Sequence, residues 1–297
     1  MKIKSYSPLR YGITQSMLQD LDRCPRLYWF RAKGWRPEFD SRIFDYGNVI
    51  HKLAECRAKA GKSIDCRKSI EDWRRAEVKR RPSAARSIEM SCAKAAGVFP
   101  QYERFWKSDY KVEWLAVEKV FEVVSCNFHL KGKIDRFGKV GNDFMLYDTK
   151  TKSQIDEEEI RWCLPFDFQA LFYTRVLEIM GYPDVEFTYD VVRNPAYRLE
   201  TPPDMFWRVR DESKRDPRHF FKRYTVSFSK KERREFRRDL CILLYNAERL
   251  ALIDVPPPKR RSGCIGRGAC PFISACSTGS MVGFTQEKEY FKELEDA

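Results

Sequence analysis

No long apolar run is present. The stretch around Cys241 to Tyr245 falls far short of the roughly 20 residues that span a bilayer, and the opening MKIKSYSPLRYGITQS holds no apolar signal-peptide core. A soluble, non-secreted protein with no membrane partner is expected. In reducing surroundings disulfides are not expected, so the ten cysteines are read as core thiols, reactive thiols or metal ligands. Paired C-x2-4-C knuckles are also lacking, and with them the usual sequence form of a structural zinc site. There is no internal repeat, no low-complexity tract beyond Pro256 to Pro258, and no RNP-type aromatic signature, which argues against repeat arrays and against a zinc-dependent RNA-binding protein. Acids are outnumbered, 43 against 56 lysines and arginines, giving a net charge of +13. That excess concerns partners rather than fold, and nucleic acid is the first candidate, ahead of an acidic membrane surface and of bare solubility.

The 297 residues suffice for one large domain or two modest ones, with 43% apolar and 14% aromatic residues to build a core. Residues 15 to 33 read as one helix carrying Cys24, and Tyr46 to Lys59 as a second carrying His51. The basic stretch from Cys66 to Lys107 is helical in character, with breaks expected at Pro82 and near Pro100. From Glu113 the pattern turns to three antiparallel strands, Trp114 to Val124, Asn127 to Phe137 and Asp143 to Lys150. A helix near Phe166 to Met180, a strand Val185 to Val192, a basic loop over 194 to 222, a strand Tyr224 to Phe228 and a helix Lys230 to Leu252 complete the order.

Strand alternation puts Asp148 and Lys150 on one face, roughly 7 Å apart. Asp135 ends the preceding strand in Gly132-Lys-Ile-Asp-Arg and projects away from Phe128, Leu130 and Ile134. If those strands pair, the two aspartates meet, and two adjacent carboxylates require a cation, for which hard oxygen donors favour Mg2+ or Mn2+. An Asp/Glu-x-Lys triplet alone says little, since random placement of 43 acids and 24 lysines gives roughly three or four matches. The informative feature is the order: His51 on a helix, Gly132-x-x-Asp135, Asp148-Thr-Lys150, then Gln169-x-x-x-Tyr173 with both polar groups on one helical face.

Cys264, Cys270 and Cys276 form a C-x5-C-x5-C run in a Gly- and Pro-punctuated loop, and Cys24 stands far upstream in a Cys-Pro pair. Four thiolates there would ligate one centre, and the loose spacing suits iron-sulfur better than zinc. Cys56, Cys66, Cys92, Cys126, Cys163 and Cys241 show no clustering and are read as small hydrophobes.

Together these residues resemble the PD-(D/E)XK nucleases, in particular the iron-sulfur branch that includes RecB-like recombination nucleases and CRISPR-associated and phage exonucleases. The resemblance spans most of the chain. It implies an α/β restriction-endonuclease-like core, a mixed central sheet flanked by helices, over 113 to 252. A basic helical segment over 57 to 108 and an iron-sulfur module from 1 to 34 and 253 to 297 complete a single nuclease domain. It further implies a [4Fe-4S] cluster on Cys24, Cys264, Cys270 and Cys276, although many members space the last cysteines C-x2-C-x5-C. Divalent Mg2+ or Mn2+ would be held by His51, Asp135, Asp148 and the Thr149 carbonyl, with Lys150, Gln169 and Tyr173 acting on the phosphate and its surroundings. The implied activity is hydrolysis of DNA, single-stranded or with free ends, in the cytoplasm of a bacterial or phage-infected cell, in recombination, repair or phage DNA metabolism. A helicase or recombination protein is the expected partner. The alternative is a non-cutting DNA-binding or assembly subunit of the same fold.

Overall fold

The computed structural model describes residues 6–38, 45–198, 201–265, 269–287, 290–291 and 294. The helix expected over residues 15 to 33 is divided. After α1 (Pro8–Tyr11) and the short strand β1 (Ile13–Thr14), α2 (Gln15–Arg23) stops at Cys24, which adopts extended backbone at φ −164°. Pro25 then opens α3 (Pro25–Ala32) at its first position, where a missing N–H costs nothing. Strand β2 (Trp35–Pro37) follows, then α4 (Asp45–Ala60) and α5 (Cys66–Arg80). A 3-10 turn at Pro82–Ala84 leads into α6 (Ala85–Phe105). The break expected near Pro100 does not occur, because Pro100 lies inside α6. The flanking turns of α6 are buried, and Gly97 lets the backbone of Phe206 come so close that an added Cβ would lie 2.7 Å from its carbonyl oxygen. That packing outweighs a proline penalty of about 3 kcal/mol.

The central sheet holds β3 (Glu113–Ser125), β4 (Phe128–Val140), β5 (Asp143–Lys152), β6 (Val185–Arg193) and β7 (Phe221–Val226) in that spatial order. β3, β4 and β5 run antiparallel, as expected, whereas β5 and β6 are parallel and β6 and β7 antiparallel, so the sheet is mixed. β5 reaches only residues 136 to 140 of β4, and β1 pairs with β4 at Leu130 and Lys131. The parallel step from β5 to β6 needs a crossover, supplied by α7 (Glu157–Cys163), a 3-10 turn at Leu164–Phe166 and α8 (Phe168–Ile179).

The segment 194 to 222, expected as loop, contains α9 (Pro202–Arg215) and α10 (Pro217–Phe220). Its prolines open helices rather than preventing them, and Thr201 and Asp216 cap the two starts. The long helix α11 (Lys230–Leu252) begins at a Ser229/Glu232 capping box, and α12 (Ser262–Ile265), α13 (Ile273–Thr278) and β8 (Phe284–Gln286) close the chain. β8 pairs antiparallel with β2, joining the two ends.

One core sets sheet residues Ile134, Leu146, Phe187 and Val191 against Leu18, Phe172, Val176, Leu240 and Leu244. A second joins α4, α5, α6 and α9 through Val49, Leu53, Ile70, Val98, Phe99 and Val209. No helix among the described residues is long and apolar enough to cross a membrane. Cys126 and Cys241, read from sequence as isolated small thiols, are paired as a disulfide across 115 residues with Cα atoms 5.6 Å apart. That pairing also corrects the expectation of no disulfides.

Candidate active site and cysteine module

Asp135, expected to end its strand but placed midway along β4, which runs on to Val140, meets Asp148 and Lys150 on β5, His51 on α4 and Gln169 on α8 at one place. His51 Nδ1 lies 3.2 Å from Asp135 Oδ2, and the Thr149 backbone N–H donates to the same oxygen at 3.2 Å. Lys150 Nζ sits 2.7 Å from Asp148 Oδ2 and donates to Gln169 Oε1 at 2.8 Å, while Gln169 Nε2 donates to Asp148 Oδ1 at 3.2 Å. Gln169 therefore bridges carboxylate and ammonium. Tyr173, one turn further along α8, donates its hydroxyl to the Lys133 carbonyl at 3.0 Å and sets its ring against Phe121.

The electrostatics divide the two aspartates. Burial pushes the Asp148 carboxyl above the usual carboxylate range, with the neighbouring Asp135 charge adding to it and Lys150 opposing. Asp135 is drawn below that range: burial works against ionisation, but the His51 hydrogen bond and charge, Lys150 and the Thr149 N–H prevail. Burial alone would lower the His51 imidazole, yet Asp135 lifts it above its ordinary value. Lys150 is likewise raised, burial being overcome by Asp148. Burial pushes Tyr173 up as well.

Glu118 is the residue the sequence did not disclose. Ligand atoms of His51, Glu118 and Asp135 all lie within 4.8 Å of one another, the set among the described residues suited to a metal ion. Glu118 adopts φ +51°, just beyond an irregularity at Trp114 to Ala116 in β3, and lies between the register pairs Val117 with Arg136 and Lys119 with Ile134, across from Asp135. It also pairs with Lys133 at 2.5 Å. One imidazole and two carboxylates form a mixed nitrogen and oxygen donor set able to hold a divalent ion. The Asp148 Oδ2 atom is buried and has the Lys150 ammonium at 2.7 Å as its partner.

Behind these strands lies a buried charged layer. Arg136 Nη2 donates to Thr149 Oγ1 at 2.9 Å and to Asp190 Oδ2 at 2.6 Å, and Arg223 joins Asp190 at 3.1 Å to Asp109 at 2.6 Å. Arg57 from α4 pairs with Asp109 at 2.8 Å, so the helix bearing His51 is tied to the sheet.

The four cysteines also converge. Cys24, between α2 and α3, and Cys270 are buried in a small cluster with Leu27, Trp29, Phe30, Phe272 and Ala275, and Cys276 packs against it. Phe30 stacks on Phe272 at 4.8 Å, and Phe272 on Phe284 at 5.1 Å. The Arg260 backbone N–H points at Cys24 Sγ from 3.3 Å, and the Cys270 N–H donates to the Cys264 carbonyl at 2.9 Å. Burial raises the Cys270 and Cys276 thiols, and the other cysteines of the quartet add to it, with Arg23 opposing at Cys270 and Arg26 and Lys259 at Cys276. Gly263 comes so close to Arg23 that a Cβ would lie 2.4 Å from its carbonyl oxygen, which brings the Cys264 loop onto the end of α2.

The sequence profile of the PD-(D/E)XK nuclease superfamily matches residues 13–277, and the chain belongs to that superfamily. A comparison with curated proteins gives no match. Among solved structures, the crystal structure of SSO0001 is similar over 93% of this chain and 88% of that one, at 14% identity and a TM-score of 0.35.

Proposed function

We propose that the protein is a Mg2+- or Mn2+-dependent deoxyribonuclease, an exonuclease acting on single strands or free ends, with a structural [4Fe-4S] cluster held by Cys24, Cys264, Cys270 and Cys276. The observation that carries the nuclease reading is the Asp148–Lys150–Gln169 triangle beside the His51, Glu118 and Asp135 group. His51, Glu118 and Asp135, with Asp148 beside them, would hold a divalent ion, and that ion would supply a Lewis acid for the phosphate and for an attacking water. Lys150, kept charged by Asp148 and oriented by Gln169, presents a fixed positive charge to developing phosphoryl charge. The Thr149 N–H orients the Asp135 carboxylate, and Tyr173 anchors α8 to β4.

The preference for unpaired DNA is supported by the exposed rings of Trp162 and Phe166 in a groove of about 780 Å³ beside the start of α8, whose charged lining is mixed, Arg23, Arg31 and Arg260 with Asp20, Asp22 and Asp167. Exposed rings with arginines nearby suit stacking of successive bases. The cluster reading is supported by the packing of Cys24, Cys270 and Cys276 into one small cluster, with the Cys270 N–H on the Cys264 carbonyl. Placing this nuclease in recombination, repair or phage DNA metabolism with a helicase partner belongs to the same reading.

The test is anaerobic purification followed by incubation with end-labelled single strands, duplexes and closed circular single strands, with Mg2+, Mn2+ or EDTA. Release of short products from linear DNA, with the closed circle intact and EDTA silencing both metals, is expected. Cutting of the circle would make the enzyme an endonuclease. Binding without cutting under either metal would make the chain a non-cutting assembly subunit.

A further inference from the structure

We infer that Lys230, Arg234, Arg237 and Arg238, on the exposed face of the first turns of α11, form a track for the phosphate backbone of DNA. The inference takes its occupant from the nuclease reading above.

Positions i, i+4, i+7 and i+8 lie on one helical face, and all four side chains are exposed. None of the four has an ion-pair partner among the described residues. On α5, by contrast, Arg74 and Arg75 pair with Glu71, and Arg80 and Arg81 with Glu77. On α11 itself, Arg233 turns to Asp184 and Glu232 is engaged in the capping box. Glu235 and Asp239 are also exposed on these turns, and neither forms an ion pair with the four cations among the described residues.

Their position is also unfavourable for the helix. Lys230, in the first turn, opposes the helix macrodipole, and Lys230–Arg234 and Arg234–Arg238 are like charges four apart that repel. A local rule broken at several neighbouring positions points to function, and a bound polyanion relieves both penalties. From Lys230 to Arg238 the helix rises about 12 Å, a length that meets three or four phosphates of one strand at roughly 3.4 Å each. Phe236, Leu240 and Leu244 of α11 are buried in the core, while Ile242, Tyr245 and Leu252 further along the helix are exposed, so the test includes a lipid surface as a rival occupant. Phe236 packs on Phe168 at 5.5 Å, next to Gln169, which couples the start of α11 to the site helix.

The experiment combines Lys230→Gln, Arg234→Gln, Arg237→Gln and Arg238→Gln, glutamine being a good helix former. Binding of a fluorescent 20-nucleotide strand and of its duplex is followed by anisotropy in EDTA across a salt series. The slope of log affinity against log salt should flatten by about 2.8 for the strand and about 3.6 for the duplex. The melting temperature should stay level or rise. Arg234→Gln alone should remove about a quarter of either change. An unchanged slope in a variant that melts like the parent overturns the track, as does loss of binding to phosphatidylserine vesicles with DNA binding intact. A fall in melting temperature for the single variant as well overturns it too, because the cations would then serve the fold. The two readings fail separately: a parent that cleaves while the variant keeps its slope sinks the track alone. A parent that binds with the steep slope and never cleaves sinks the catalytic reading alone.

Discussion

Arg136 and Asp190 form a buried ion pair at 2.6 Å directly behind the strands of the candidate site, with 2% and 0% of each residue exposed. Arg136 follows Asp135 in the chain, and Asp190 stands opposite Thr149 in the β5–β6 register. The pair therefore holds the backbone on which both aspartates are mounted.

Removing one partner of this pair should be severe. Asp190→Asn or Arg136→Met leaves an uncompensated buried charge and should cost about 3–5 kcal/mol in denaturant unfolding. The sign with pH is fixed. Asp190 is held well below the carboxylate range, burial being overcome by Arg223 and Arg136. Its contribution is complete above the unfolded value near 4 and is lost as pH falls through the folded value. The variant and parent stability curves should converge in acid; parallel curves down to pH 2 would contradict this.

Asp148→Asn and Lys150→Ala should each lower turnover by about a hundredfold or more, with substrate affinity much less affected. Their stabilities should differ. Because burial and Asp135 disfavour the Asp148 carboxylate, the neutral amide should melt no lower than the parent at pH 8. A large drop in melting temperature would mark Asp148 as structural.

Metal affinity should be proton-linked. His51 is raised by Asp135, so below its shifted value the imidazole carries a proton that an incoming ion displaces. Mn2+ titrated calorimetrically should bind more tightly as pH rises, levelling off once His51 is neutral. Glu118→Gln should weaken that affinity about tenfold or more; unaltered Mn2+ binding would remove Glu118 from the ligand set.

The protein should be brown, with about four irons per chain. Replacing Cys24, Cys264, Cys270 or Cys276 by alanine should give colourless, aggregation-prone material, whereas Cys92→Ala or Cys163→Ala should keep the colour. A link closing 240 residues constrains the unfolded chain by on the order of 5 kcal/mol. Full iron content in all four variants would contradict the ligand assignment.

Asp135, Asp148 and Lys150 were legible because strand alternation is a local rule and the structure follows it, and Gln169 was legible through its helical spacing with Tyr173. Glu118 was not, since its place opposite Asp135 depends on the irregularity in β3 and a positive φ that no periodicity encodes. Helix α9 was hidden by Pro202 and Pro203, although Thr201-x-x-Asp204 was the available start signal. The Cys126–Cys241 pairing and the buried Arg57, Arg136 and Arg223 layer depend on contacts between distant segments, which charge and composition leave unspecified.

The pairing of β2 with β8, and the stacking of Phe30 on Phe272, impose an order in time on the newborn chain. At about 5–20 residues per second, some 240 residues take roughly 10–50 s to emerge. Through that interval Leu27, Trp29 and Phe30 have no Phe272 to cover them, and Cys24 waits as an open thiol. A ribosome that stalls before residue 264 therefore releases a chain with a sticky aromatic face, a substrate for chaperones and proteases, whatever the state of its catalytic strands.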